Sequence, residues 1–228
     1  MKAACCGMIL VVASFFLGTA PAHAILVTVE ADDFALGTDL STAVAGVTLS
    51  AFSGPPIVGA GDPLLSSKVL SSLPNPFSPS LSITGDRVFG NESTALGING
   101  LWYAGDHQFR TDFDVLTHHV SIMTSPDGEG DTDPTRFEIY GLGGILLDAI
   151  NIPGTSLVTV TFDRPTADIA YMIATNPNPT PLIGESFLLD HLIFDNEAAT
   201  VPEPDTRLLF GAGLLAVTGL RRFTSKGR

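Results

Sequence analysis

The chain has 228 residues, 45% of them hydrophobic and 15% charged, with a formal net charge of −13. The charge is concentrated between residues 25 and 200, where five Lys and Arg stand against 22 Asp and Glu, a net of −17. Phosphate backbones and anionic bilayers are bound by clustered Lys and Arg, so neither nucleic acid nor an anionic membrane surface is a partner for this part of the chain.

At the N-terminus Lys2 precedes an apolar run over residues 8–18, and Ala22-His23-Ala24 follows. A basic start, a short apolar run and an A-x-A site form the pattern that signal peptidase reads, and the run is shorter than the ~20 residues of a bilayer span. Residues 1–24 are therefore expected to be a signal peptide, cut after Ala24. Its removal takes away Cys5 and Cys6, the two cysteines of the sequence, neither of which sits in a lipobox. The exported domain then has no disulfide and no thiolate. Its stability rests on core burial, aided by a hard cation where carboxylates cluster.

From residue 25 onward the chain reads as strands. "ILVTVEA", "GVTLSAF", "ALGINGLWY", "HHVSIMT", "TRFEIYG", "SLVTVTF", "DIAYMIA" and "FLLDHLIF" are short, largely alternating, and rich in β-branched and aromatic residues. No segment keeps a helical period over three turns. Residues 53–80, with six prolines and seven serines, read as a long loop carrying one short helix near residues 64–73. Residues 124–134, "TSPDGEGDTDP", read as an acidic loop. Strands at this spacing without intervening helices predict an all-β fold, an antiparallel β-sandwich of jelly-roll type over residues 25–194. A linker over residues 195–206 follows, and then a short hydrophobic helix with a basic tail over residues 207–228.

The tail has its own logic. Residues 208–220 are apolar and span about 20 Å as a helix, against a hydrocarbon core of ~30 Å. Gly211, Gly213 and Gly219 interrupt the run, and Arg221, Arg222, Lys226 and Arg228 hold its end in the cytoplasm by the positive-inside rule. Val201-Pro202-Glu203-Pro204, a glycine-interrupted apolar segment and Arg221-Arg222, behind a signal peptide, resemble the PEP-CTERM sorting signal. The resemblance implies recognition of Pro202, Glu203 and Pro204 by an exosortase, a membrane transpeptidase of Gram-negative bacteria that build extracellular polysaccharide. It further implies transient membrane insertion and a destination at the cell surface or in the extracellular matrix. Asp205-Thr206-Arg207 departs from the usual small-residue linker.

The opening "EADDFALGTDLSTAVAGVTLSAF" and the closing Leu188-Leu189-Asp190-His191-Leu192 are similar to galactose-binding-like jelly rolls and carbohydrate-binding modules, in which first and last strands pair and share a structural calcium. Glu30, Asp32 and Asp190 are accordingly the candidate Ca²⁺ ligands, hard oxygens that jelly-roll topology would bring together; the alternative is exposed turn carboxylates. A second acidic stretch, Asp127 to Asp133 with Glu138 in twelfth place, mimics an EF-hand count, but Thr132 replaces the required glycine and a strand follows. Trp102 and Tyr103, with Phe109 and Phe113, form the candidate sugar platform, and Tyr171 a second; strand aromatics also serve as core. Adjacent histidines, His118 and His119, diverge on a strand and cannot share an ion, and the same holds for Asp190 and His191. Asp112 and Asp114 share a face, the pattern a glycoside hydrolase needs and also that of a solvent-facing row.

These readings converge on an exported protein, not an enzyme, that acts by binding or structural association with extracellular polysaccharide. The alternative is a glycan-active hydrolase, marked by a deep cleft with converging carboxylates. Asn91-Glu92-Ser93 is a formal glycosylation sequon, discounted in the bacterial setting that the tail implies.

Overall fold

The computed structural model describes residues 25–54, 63–74, 83–94, 96–103, 107–126, 134–154, 157–177 and 186–196. The expected signal peptide, the acidic residues 127–133, and the linker and sorting segment from residue 197 onward lie outside them.

Alternation of apolar and polar residues builds the strands. In chain order they are β1 (Ile25–Val29), β2 (Val47–Phe52), β3 (Leu70–Ser72), β4 (Val88–Ser93), β5 (Gly97–Asn99), β6 (Trp102–Tyr103) and β7 (Gln108–Thr117). Then follow β8 (His119–Pro126), β9 (Thr135–Tyr140), β10 (Leu146–Ile152), β11 (Val158–Asp163), β12 (Ile169–Thr175) and β13 (Ser186–Asn196). All the pairings are antiparallel. One sheet runs β11-β8-β13-β4-β3, with β1 and β6 also on β13 and β5 on β4; the other runs β10-β9-β12-β7-β2.

The period of two decides what each sheet buries. Val47, Leu49 and Ala51 of β2, Phe137 and Ile139 of β9, and Met172 and Ala174 of β12 turn inward to meet Val120 and Ile122 of β8 and Leu189, Leu192 and Phe194 of β13. This is a β-sandwich with one apolar core between two sheets. The all-β expectation holds.

Several elements were not legible as such. Residues 64–73 form no helix: Leu64 bridges Ser93, Leu70–Ser72 pairs with Gly90–Val88, and Ser71 and Ser72 are buried. The sheet satisfies those backbone groups, and the Ser71 hydroxyl donates to the Ala31 carbonyl at 2.9 Å. "ALGINGLWY" splits into β5 and β6, which pair with different strands. β4, β7 and β10 were not anticipated. Asn91 of the sequon is buried and its side-chain amide donates to the Leu101 carbonyl at 2.7 Å, so it serves the fold.

Candidate functional site

Trp102 is the first correction. It is fully buried, its indole N–H donates to the Phe89 carbonyl at 3.0 Å, and its ring meets Phe109 edge-on at 5.4 Å. Phe109 in turn stacks on Phe89 at 5.6 Å. Phe113 packs against Phe194 at 5.2 Å. The reason is positional: β6 adds to the edge of β13, which directs Trp102 between the sheets, where an indole finds both apolar walls and a carbonyl for its N–H. Tyr103 continues β6, its backbone paired with Ser186. Trp102, Phe89 and Phe109 are core and offer no sugar platform, and Phe113 packs partly buried against the same core.

The exposed aromatic chemistry lies on the outer face of the five-stranded sheet. Where Phe109, Thr111, Phe137, Ile139, Met172 and Ala174 point inward, their strand neighbours Arg110, Asp112, Arg136, Glu138, Tyr140 and Tyr171 must point outward, and all six are half-buried. Register aligns them across three strands. Asp112 stands opposite Tyr171, and Tyr171 opposite Tyr140; Arg110 stands opposite Ile173, and Ile173 opposite Glu138. The two tyrosine rings stack at 4.7 Å with 13° between their planes, and the Arg110 guanidinium covers Tyr171 at 3.9 Å from its centroid. Three planar groups therefore stand in one row.

Ion pairs lock the row. Arg110 Nε and Nη2 donate to the two oxygens of Asp112 at 2.8 and 2.5 Å, which holds the guanidinium protonated above its ordinary range. Arg136 Nε donates to Glu138 at 2.6 Å, and its Nη1 reaches Asn151 on β10 at 3.2 Å. The Tyr140 hydroxyl donates to the other Glu138 oxygen at 2.5 Å. Burial, together with that anionic acceptor, pushes the Tyr140 phenol up to about 12, so it stays protonated as a donor. Beyond the stack, the β9–β10 hairpin raises the exposed Leu142, Ile145 and Leu146 as an apolar rim. A Cβ on Gly144, which has φ +77°, would stand 3.5 Å from the Tyr171 hydroxyl.

Chemically, this face offers ring carbon, fixed donors and fixed acceptors. Asp112 is committed to Arg110 and Glu138 to Arg136 and Tyr140, so neither stands as an unengaged acid or base. The twelfth position of the EF-hand-like count, Glu138, is thus a strand residue in an ion pair. Of the face, sequence reasoning singled out Tyr171 and Asp112, and Glu138 only as part of the EF-hand-like count, but not Tyr140, Arg110 or Arg136; the i, i+2 Arg-x-Asp and Arg-x-Glu-x-Tyr spacings were the available signal.

A second cluster joins the chain's first and last strands. β1 pairs with β13 from Ile25 against Asn196 to Val29 against Leu192. A bulge after Asp190 interrupts β13, and His191 there adopts φ 51°, the positive φ found at no other non-glycine among the described residues. The His191 ring contacts Glu30 Oε1, while the Thr84 hydroxyl contacts Asp190 and lies 3.3 Å from Glu30 Oε2. Asp190 is fully buried, and burial, with the nearby Glu30 charge, pushes its carboxyl up to about 6.

Asp32 is held apart from this pair. Its Oδ1 accepts from the peptide N–H groups of Asp86 and Arg87 at 2.8 and 3.1 Å. A Cβ on Gly85 would sit 2.3 Å from its Oδ2, so only glycine lets that loop close over the carboxylate. Asp32 Oδ2 and Asp190 Oδ1 are buried without a hydrogen-bond partner. Among the described residues, no group of three or more His, Cys, Asp or Glu side chains is gathered as a ready-made metal site. The orphaned oxygens fit a hard cation in chemistry.

The adjacent histidines His118 and His119 separate as their adjacency predicts. His118 pairs with the buried Asp195, and His119 Nδ1 lies 2.7 Å from Asp163.

Comparison with known proteins bears on the tail and on the sandwich. Residues 200–222 match the PEP-CTERM protein-sorting motif, which places Pro202, Glu203, Pro204, Arg221 and Arg222 inside the match. The chain carries this motif, and the motif implies export and exosortase sorting to the cell surface. Among the described residues no helix is long and apolar enough to cross a membrane. No curated protein matches the chain in sequence.

Solved structures with similar strand arrangement include the C-terminal family 22 carbohydrate-binding module of Clostridium thermocellum Xyn10B. It is 15% identical with a TM-score of 0.38, over 72% of this chain and 93% of that one. A family 29 carbohydrate-binding module from Piromyces equi is 8% identical with a TM-score of 0.32, over 67% of this chain and 91% of that one. Similarity at that level assigns no ligand to this chain.

Proposed function

We propose that this is an exported, exosortase-sorted surface or matrix protein of a Gram-negative bacterium, and that its sandwich binds extracellular polysaccharide through the outer face of the five-stranded sheet. The observation that carries the reading is the Tyr140–Tyr171–Arg110 stack, half-buried on the outer face of a sheet and flanked by ion pairs. With Tyr140 and Arg110 on the two faces of Tyr171, the stack offers aromatic edges to sugar C–H groups, and the surrounding donors and acceptors take hydroxyls. The reading is of a binding module, since Asp112 and Glu138, the carboxylates beside the stack, are engaged by neighbouring arginines. The test is a glycan array probed with wild type, Tyr171→Ala and Tyr140→Ala. Wild-type binding to a polysaccharide, weakened at least about tenfold in both variants at unchanged fold, is the expected result. Equal binding by all three would rule the face out.

The Glu30–Asp190 cluster supports a structural Ca²⁺ in this reading. Glu30 and Asp190 would hold it, Asp32 staying with the Asp86 and Arg87 peptide N–H groups, and the ion would supply charge neutralisation where the last strand buries a carboxylate. Calcium that binds only the folded state adds about 2.7 kcal/mol at a hundredfold excess over Kd. The check is a calcium-specific rise in Tm at ~0.15 M NaCl, where exposed charges are screened. Asp190→Ala should abolish it, and a wild type indifferent to calcium would leave the cluster as a hydrogen-bonded network.

A further inference from the structure

Resting on the binding reading above, we infer that the outer face selects uncharged glycans and excludes acidic ones, and that the Arg110–Asp112 and Arg136–Glu138 pairs are the device that does so. An acidic glycan must shed water from its carboxylates or sulfates on binding, which costs several kcal/mol per charge unless a cation replaces the water. The candidate face has no cation to spare. Between residues 25 and 200 there are five Lys and Arg. Lys68 pairs with Asp39 at 3.0 Å, Arg164 holds Asp168 through two hydrogen bonds, and Arg87 donates to the Phe34 carbonyl. The other two, Arg110 and Arg136, lie on the candidate face, each neutralised by the carboxylate two residues along its own strand. The net of −17 over the same residues adds a long-range field that repels polyanions.

Pairing removes the charge of these arginines but not their directional donors. A guanidinium carries five N–H groups, and Arg110 directs two nitrogens, Nε and Nη2, at Asp112. The remaining N–H groups, with the lone pairs of Asp112 and Glu138, suit hydroxyls, which both accept and donate. The face is therefore matched to a polyhydroxylated, uncharged polymer.

The experiment is affinity electrophoresis of the full chain in mild detergent. The gels contain neutral glucan, mannan or xylan, or the acidic polymers hyaluronate and polygalacturonate, each at low and high salt. Retardation by at least one neutral polymer, insensitive to salt, is expected, with acidic polymers at least about tenfold weaker because like charges are brought together. Asp112→Asn, which leaves Arg110 uncompensated, should create salt-sensitive retention by the acidic polymers; Glu138→Gln, freeing Arg136, provides the same readout should the first variant not fold. Salt-sensitive retention of wild type by an acidic polymer would overturn the inference while sparing the binding reading. Folded variants that gain no acidic binding would overturn the role of the pairs. Indifference of wild type to every polymer would overturn both the binding reading and this inference.

Discussion

Asp190 and Trp102 show how much one residue's surroundings decide. Asp190 retains its proton up to about pH 6 in the folded chain, against an ordinary value of 3.8. Between those limits the folded state binds more protons than the unfolded one, so stability falls as pH rises through that window. The shift corresponds to roughly 3 kcal/mol, present as a cost at neutral pH when no cation is bound. In EDTA, Asp190→Asn is therefore expected to raise Tm at pH 7 and to flatten the pH dependence between about 4 and 6. Thermal melts across pH check this, and an Asn variant less stable than wild type at pH 7 would contradict it. Trp102 behaves oppositely to an exposed platform residue. Trp102→Ala should cost about 3–5 kcal/mol in urea unfolding. Trp102→Phe should retain glycan binding, because the ring touches Phe89 and Phe109 inside the core.

At the scale of elements, the β7–β8 connection and the end of β13 are joined through Asp195. Burial opposes ionisation of that carboxyl. The Thr117 hydroxyl, the peptide N–H groups of His119 and His118 and the His118 ring outweigh the burial and hold it below the usual carboxylate range. Its stabilisation is accordingly present above the unfolded pKa and lost as pH falls through the folded one. Asp195→Ala would strand the His118 peptide donor at about 1–3 kcal/mol, while the Thr117 hydroxyl keeps the His119 carbonyl at 2.8 Å and the His119 N–H keeps that hydroxyl at 3.3 Å. Hydrogen exchange should show the loss first in the β1–β13 pairing, where Leu26 faces Asp195. Unchanged protection there would mean that the clasp does not hold the strand. Element recognition in the sequence followed the same physics. β2, β9 and β11 alternate over one buried face and were readable, and β12 was readable by its run of β-branched and aromatic residues. β7 was not, because Arg110, Asp112 and Asp114 occupy its outward positions and obscure Phe109 and Thr111. β10, an edge strand with apolar residues on both faces, lacks alternation. β3 is three residues long and polar in composition, and only its partner β4 makes it a strand.

For the whole molecule, the sandwich brings its two ends to one place: Ile25 pairs with Asn196. The first residue after the expected cleavage site and the last described residue before the sorting motif therefore lie side by side in one sheet, and the proposed glycan face belongs to the other. Replacing Pro202-Glu203-Pro204 with alanines is expected to leave export intact and trap the protein in the membrane fraction. Release of that variant at the normal rate would make the motif incidental. Protein sequencing of the exported material should begin at Ile25.

What the sequence determined by itself was whatever depends on local order and composition. The sorting tail is a contiguous motif, acidity is a count, and an all-β sandwich follows from a period of two repeated with turn signals between. The structure alone decided which outward face stays uncovered and which aromatic residues lie beneath it. Trp102 and Tyr140 both sit in alternating segments. Strand order places Trp102 against the core and leaves Tyr140 beside Tyr171, a residue 31 positions away in the chain. Likewise Glu30 meets His191 and Thr84 only because β1 pairs with a bulged β13. Such meetings are set by register between distant strands, and a one-residue slip in that register would turn every side chain to the opposite face.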